Sequence, residues 1–385
     1  MRKVKTFKDF DFDNKRVLFR ADFNVPLDEN LKIRDSSRIN RTLPTLKCLL
    51  EGGAAVTLCS HLGRPKGEVK PEFSLKPVFH YLKEVLPQNK IFFAEEYIPH
   101  EKVTTLPGPS QVLLLENLRF HKGETKNHED FAKELAKFGE LFVLDAFGTA
   151  HRAHASTFGV QQFLPSAVGM LVEKEVIFLE EVVNSQTKPF IAILGGAKIS
   201  GKIDVIENLL PRVDKILIGG GMAYTFLKAQ GKEIGKSLLE DEKITLAANL
   251  LKSGKIEIPS DHVVSSSPDN KDAVTCTEIP SDKMALDIGP ETLKEFKKYI
   301  KDASLIFWNG PVGFFEKEPF GKGTEEIARA IAGAKGKSVV GGGDSVAAIE
   351  KYGITEGFDH LSTGGGASLE YVEGKTLPAL EKLYI

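Results

Sequence analysis

Cysteine, tryptophan and methionine are scarce: 385 residues include three, one and four of them respectively. Cys48, Cys59 and Cys276 are scattered, odd in number and without Cys-x-x-Cys spacing, which argues against a disulfide framework and against a zinc site. Cys48 and Cys59 lie in apolar surroundings and are expected to be buried thiols. No stretch approaches the roughly 18 apolar residues of a membrane-spanning helix. The basic start MRKVKTFKDFDF lacks the apolar run of a signal peptide. A formal net charge of −2 offers no bulk attraction to nucleic acid or to anionic membrane. Low-complexity tracts, sequence repeats, a Ser-His-Asp or Cys-His arrangement and paired carboxylates are also missing. A soluble, cytoplasmic protein is expected, and any positive site in it must be local.

Glycine after short apolar runs is what the chain does have. AILGGAK (192–198), LIGGGMA (217–223), FWNGPVG (307–313), VVGGGDS (339–345) and LSTGGG (361–366) all fall in the second half. An apolar run of four to six residues bounded by glycine suggests a buried parallel strand. Glycine at its end lets backbone N–H groups approach a phosphate. In the first half VLFRADFNVP (17–26), TLCSHLGRP (57–65), LLLENLRF (113–120) and FVLDAFGTAHR (142–152) run instead into loops bearing Arg, Asn or His. Ligands of open α/β sheets bind outside the carboxyl ends of the strands. The loops therefore predict one surface for a small anion and one for a nucleotide, and phosphoryl transfer between them.

Helical patterns separate the runs at Ser36–Leu50, Pro71–Leu86, His128–Phe138, Lys202–Leu210, Met222–Ala229, Asp241–Leu251, Pro290–Tyr299, Thr324–Ala334 and Ser345–Tyr352. Strand alternating with helix predicts α/β architecture, with a doubly wound, Rossmann-like parallel sheet in each of two lobes. Pro165–Asn184 has apolar residues at helical spacing and is expected to form one long connecting helix. The expected division is a first lobe over 1–165, a connector or hinge over 166–185 and a second lobe over 186–369.

Two familiar nucleotide motifs fail. Gly196–Lys202 fits a P-loop until Ile203 stands where Ser or Thr would bind magnesium. Lys198 and Lys202, four apart at an expected helix start, could still share one phosphate chain. The triple-glycine runs lack the last glycine of a dinucleotide fingerprint, having Tyr224, Val346 or Leu369 there. Gly341–Ser345 ends a strand and opens a helix, which makes an anion site; Asp344 there is either a helix cap or a magnesium ligand. Arg38, Arg64, Arg119 and Arg152 sit in or just after the first-half loops, and guanidinium forks suit phosphate and carboxylate oxygens. His151 and His154 have no third ligand near in sequence and are expected to be core or supporting histidines.

RADFNVP (20–26), SHLGRP (60–65), LLENLRF (114–120), DAFGTAHRAHAS (145–156), WNGPVGFFE (308–316), GGGDS (341–345) and STGGGASLE (362–370) resemble the phosphoglycerate kinases. The resemblance implies reversible, Mg²⁺-dependent phosphoryl transfer from 1,3-bisphosphoglycerate to ADP, giving 3-phosphoglycerate and ATP. It implies a phosphoglycerate site of Asp22, Phe23, Asn24, Arg38, His61, Leu62, Gly63, Arg64, Arg119 and Arg152. The implied nucleotide site is Lys198, Lys202, Glu316 on the ribose, Gly342, Gly343, Asp344 on Mg²⁺, and Ser345. Arg38, Lys198 and the Gly343 backbone would stabilise the transferring group. Residues 370–385 would return to the first lobe, and the lobes of a monomeric enzyme would close a cleft by hinge bending. Gly201, where the family commonly has Asp, and Phe314, where it often has a smaller residue, depart from the pattern. A non-catalytic sensor of nucleotide and phosphometabolite is the alternative from a different class.

Overall fold

The computed structural model describes residues 2–270 and 272–385. The chain divides into a unit of Met1–Ile177 with Thr376–Ile385, and a unit of Phe178–Lys375.

The first unit holds a parallel sheet of β1 (Arg16–Ala21), β2 (Ala55–Cys59), β3 (Ile91–Ala94), β4 (Val112–Leu115), β5 (Leu141–Asp145) and β6 (Ser166–Val168), in the order β3-β4-β2-β1-β5-β6. Its central strands are apolar on both faces and buried along nearly their whole length, as helices on both sides require. The helices are α1 (Ser37–Glu51), α2 (Lys76–Val85), α3 (Lys122–Thr125), α4 (Glu129–Ala136) and α5 (Met170–Val183), the last running into the second unit. Ile39, Leu46, Leu49 and Leu50 of α1 join the core formed by Val17, Phe19, Val56 and Leu58.

Two expected helices are shorter than their patterns. The pattern over 165–184 contains a strand first, because Ala167 and Val168 are fully buried and pair with Val143 and Leu144. Helix α5 then starts where Asp145, the last residue of β5, accepts the N–H groups of Leu171 (2.9 Å) and Val172 (3.1 Å). The pattern over 71–86 breaks because Glu116 takes the Ser74 hydroxyl (2.6 Å) and the Leu75 N–H (2.7 Å), so α2 begins only at Lys76.

The second unit holds β7 (Phe190–Leu194), β8 (Lys215–Ile218), β9 (Ile256–Glu257), β10 (His262–Ser265), β11 (Val274–Cys276), β12 (Met284–Ile288), β13 (Leu305–Asn309), β14 (Lys337–Gly341) and β15 (His360–Leu361). Its helices are α6 (Ile203–Leu209), α7 (Ala223–Ala229), α8 (Ile244–Leu251), α9 (Pro290–Asp302), α10 (Lys322–Ala332), α11 (Gly343–Lys351) and α12 (Gly366–Val372). Six strands form a second parallel sheet in the order β15-β14-β13-β7-β8-β9. The antiparallel sheet β11-β10-β12 has no counterpart among the sequence expectations. Each large sheet has a switch point, between β1 and β5 and between β7 and β13, where the connections leave in opposite directions. Cys59 is buried as expected; Cys48, on α1, is only half-buried.

Candidate active site

In the first unit the loops after β1, β2, β4 and β5 lie at the carboxyl ends of neighbouring strands. Asp22 follows β1 and is buried; its Oδ2 accepts from Arg38, in the first turn of α1, at 2.6 Å. Its Oδ1 takes the Asn24 N–H at 3.2 Å. The Asn24 side chain accepts the Gly63 N–H (2.8 Å), and Arg119 donates to the Gly63 carbonyl (2.8 Å). Gly63 is left-handed with φ +61°, and a Cβ there would sit 2.4 Å from Phe73. Asp22, Asn24, Arg38, Gly63 and Arg119 thus form one connected patch, and His61 Nδ1 lies 4.0 Å from Asp22 Oδ1 at its edge.

The other expected residues join it less directly. Phe23 and Leu62 belong to the hydrophobic core, so only their backbone is available to a ligand. Arg64 is exposed, and Arg152 is half-buried with its Nε against His151 Nε2 at 3.1 Å. Arg20, passed over in the sequence, is fully buried in the middle of the patch. A lone Arg inside an apolar strand is the signal that could have found it.

Crowding of positive groups perturbs the patch. Burial lowers Arg119 to a pKa of about 10, with Arg20 and Arg152 adding repulsion. His154 falls to about 3 by burial and by Arg119, Arg20 and Arg152. Burial likewise holds His61 well below the usual histidine range, with Arg20, Arg119, Arg38 and His154 adding to it. Arg119 Nε is buried and has no hydrogen-bond partner among the described residues. An anion entering the patch relieves the repulsion and supplies an acceptor.

In the second unit the glycines at the strand ends divide into two kinds. Gly195, Gly219 and Gly310 are packed: a Cβ on them would lie 2.0 Å from Pro311 O, 2.5 Å from Val312 and 2.4 Å from Gly195 O respectively. Gly196, Gly343 and Gly365 face open space, with no atom within 4 Å of such a Cβ. Gly196 and Gly365 have φ +106° and +52°, whereas nothing in the local backbone or packing demands glycine at 343. A cavity of about 410 Å³ is bounded by Gly196, Gly220, Leu238, Phe314, Glu316 and Asp344.

β14 ends at Gly341, Gly342 takes φ +89°, and α11 opens at Gly343 with Asp344 exposed in its first turn. Asp344 does not cap the helix, so its carboxylate remains available. Ser345 Oγ instead accepts the Gly310 N–H at 2.6 Å and fastens the β13 loop to α11. Asp287, at the end of β12, accepts the Gly323 N–H (2.7 Å) and is pushed up to about 8 by burial.

The lysines differ from the helical pairing expected of them. Helix α6 begins at Ile203, and Ile199, fully buried, turns the chain so that the Lys202 N–H meets its carbonyl at 2.8 Å. Lys198 is exposed on this loop, while Lys202 is lowered to about 8 by burial, against the opposing pull of Asp344 and Glu373. No cluster of three or more His, Cys, Asp or Glu able to hold a metal exists among the described residues. The donor set fits a magnesium carried in on phosphates, which needs one or two protein carboxylates, and Asp344 can supply one.

Two parallel-sheet units, one presenting guanidinium groups and the other glycine backbone at their strand ends, define a two-unit α/β protein built to hold anions. The family model described as phosphoglycerate kinase matches residues 7–375. Phosphoglycerate kinases of Koribacter versatilis and Finegoldia magna are 50% and 49% identical, each alignment covering 98% of this chain and of the relative. The solved phosphoglycerate kinase of Coxiella burnetii superposes with a TM-score of 0.90 at 40% identity, covering 99% of this chain and 98% of that one. That of Pyrococcus horikoshii gives 0.83 at 33%, covering 98% of each. The chain belongs to the phosphoglycerate kinase family.

Proposed function

We propose that this chain catalyses the reversible transfer of the phosphoryl group of 1,3-bisphosphoglycerate to ADP, yielding 3-phosphoglycerate and ATP. Family membership across residues 7–375 supports the reaction, and the sensor alternative has no comparable support. The observation that carries the residue assignment is the buried, unpartnered Arg119 Nε within a patch of Arg20, Arg38 and Arg152. Phosphoglycerate binds there, with Asp22, Asn24, His61 and Gly63 orienting it and the exposed Arg64 meeting it at the rim; Phe23 and Leu62 contribute backbone. The nucleotide occupies the second-unit cavity, its base against Leu238 and Phe314, its ribose on Glu316 and its phosphates at Gly342–Ser345, Lys198 and Lys202.

In the ATP-forming direction the P–O bond to the acyl oxygen breaks as the terminal β-phosphate oxygen of ADP bonds to phosphorus. The carboxylate leaves already ionised, its ordinary pKa being about 3.5, so no general acid is needed. What remains is charge and alignment. Arg38 and Lys198 neutralise charge developing on the transferring oxygens, and the Gly343 N–H donates to them from the start of α11. Asp344 would hold Mg²⁺, which would supply further charge neutralisation on the nucleotide phosphates. Transfer requires donor and acceptor within roughly 3–3.5 Å, so the reading includes approach of the two units by hinge bending.

The reading also includes a cytoplasmic monomer without nucleic-acid or membrane partners; among the described residues no helix is long and apolar enough to cross a membrane. The test is incubation with Mg-ATP and 3-phosphoglycerate, trapping acyl phosphate as its hydroxamate. Product only with both substrates is expected, and none with both ligands bound would overturn the proposal.

A further inference from the structure

Arg20, the penultimate residue of β1, is fully buried, and each of its three nitrogens has a partner. Nε donates to Ser156 Oγ at 2.8 Å. One terminal nitrogen donates to the Ala21 carbonyl, and the other lies 3.1 Å from His61 Nδ1. Ser156 is itself held, its hydroxyl donating to Glu124 Oε1 (2.7 Å) and its N–H to Oε2 (3.0 Å). Glu124 is also fully buried.

A guanidinium has five N–H donors and no acceptor. The 3.1 Å contact is therefore a hydrogen bond only if His61 Nδ1 accepts, which leaves the single ring proton on Nε2. An imidazolium would point an N–H at an N–H. We propose that Arg20, held by Ser156 and Glu124, is a positioning residue that fixes His61 as the neutral Nε2–H tautomer, making it a permanent, uncharged donor to a ligand oxygen.

The surroundings agree from every side but one. His61 is faced by Arg20 from β1, Asp22 from the following loop, Arg38 from α1, Arg119 from the turn after β4 and His154 from the loop after β5. Asp22 alone would favour a charged ring. Its Oδ1 is 4.0 Å from Nδ1, too far for a hydrogen bond, while its Oδ2 is taken by Arg38 at 2.6 Å. Burial and the basic neighbours hold His61 below its ordinary range. A histidine in an anion site ordinarily gains charge near pH 6.5 and tightens binding in acid. Here that response is absent, and the phosphoglycerate site keeps one hydrogen-bond pattern through neutral pH.

That the ligand is phosphoglycerate rests on the function proposed above; the tautomer does not. The test is long-range ¹H–¹⁵N correlation of the imidazole nitrogens in the ¹⁵N-labelled full chain from pH 5.5 to 8.5, with His61 assigned by its loss in His61→Gln. A protonated Nε2 and an unprotonated Nδ1 throughout are expected. A proton on Nδ1, or titration within the range, overturns the proposal. Steady-state kinetics give a second arm, because a glutamine amide nitrogen falls near the Nε2 position and an asparagine near Nδ1. His61→Gln should keep the KM for 3-phosphoglycerate within about threefold and His61→Asn should raise it about tenfold or more, the span of one hydrogen bond to a charged group. Equal KM values in the two variants would overturn the donor role. The fixed tautomer in a chain without turnover would overturn the function and leave the assignment of Arg20 standing.

Discussion

Replacing Gly63 by alanine tests whether the proposed phosphoglycerate loop is held by geometry or merely by its charges. Gly63 sits at φ +61°, and alanine pays about 1–2 kcal/mol in that left-handed region. The new methyl would also start 2.4 Å from two ring carbons of Phe73, and such overpacking costs about 1–3 kcal/mol. The combined strain of about 2–5 kcal/mol has two outlets. If the loop holds, the chain loses stability. If the loop moves, it weakens the hydrogen bonds from Gly63 N–H to Asn24 and from Arg119 to Gly63 O, each contributing about 1 kcal/mol. Part of the strain is expected in each. The KM for 3-phosphoglycerate should rise about tenfold, equivalent to about 1.4 kcal/mol, while the KM for Mg-ATP stays within about twofold because the proposed nucleotide loops belong to the second unit. Gly254→Ala is the control: it has φ +67° but nothing within 4 Å of the added methyl, so it should cost stability without moving either KM. Unchanged KM and unchanged melting in Gly63→Ala would refute the reasoning.

Arg38→Ala is expected to lower kcat by about 10²–10³-fold, the loss of one charge-stabilising donor, with the Kd of Mg-ADP unchanged by calorimetry. Lys202, lowered to about 8, loses its charge as pH rises, so Mg-ADP affinity should fall between pH 7.5 and 9.5 and flatten in Lys202→Arg. The same shift has the opposite effect on the empty protein: the unfolded lysine keeps its proton to about 10.4, so stability should rise with pH above 8, as denaturant midpoints will show. Asp145→Ala strands the Leu171 and Val172 N–H groups and the Thr45 hydroxyl, and should destabilise the first unit by about 2–4 kcal/mol, Asp145→Asn by less, read by circular dichroism on melting.

The parallel strands were legible because their signal is local. Apolar runs closed by glycine or by Arg-bearing loops marked β1, β2, β4, β5, β7, β8, β13, β14 and β15. Strands β3, β6 and β9 were not: no glycine or Arg-bearing loop closes β3, β9 is two residues long, and β6 is three residues beside a helical pattern whose pairing with β5 is a tertiary fact. Nor was β11-β10-β12, whose short strands include the half-exposed Val274 and carry a bulge after Val263, which breaks the alternation. Within the candidate site, residue types singled out Arg38, Arg119 and Asp344 as candidates. The pattern could not show that Phe23 and Leu62 turn into the core, that Lys202 precedes rather than begins α6, or that Arg20, Ser156 and Glu124 connect across 136 and 32 residues of chain.

The segment Thr376–Ile385 belongs to the first unit, although the chain leaves that unit at Ile177. Leu377, Ala379 and Leu380 are fully buried; the Ala379 N–H meets the Ala150 carbonyl at 3.1 Å, and Gln161 donates to the Ala379 carbonyl at 2.7 Å. On a ribosome adding roughly 5–20 residues per second, this piece emerges about 10–40 seconds after Ile177. The Arg152 loop, lying between Ala150 and Gln161, would wait that long for its last hydrogen bonds. The proposed phosphoglycerate patch is therefore finished only after the whole second unit has been made.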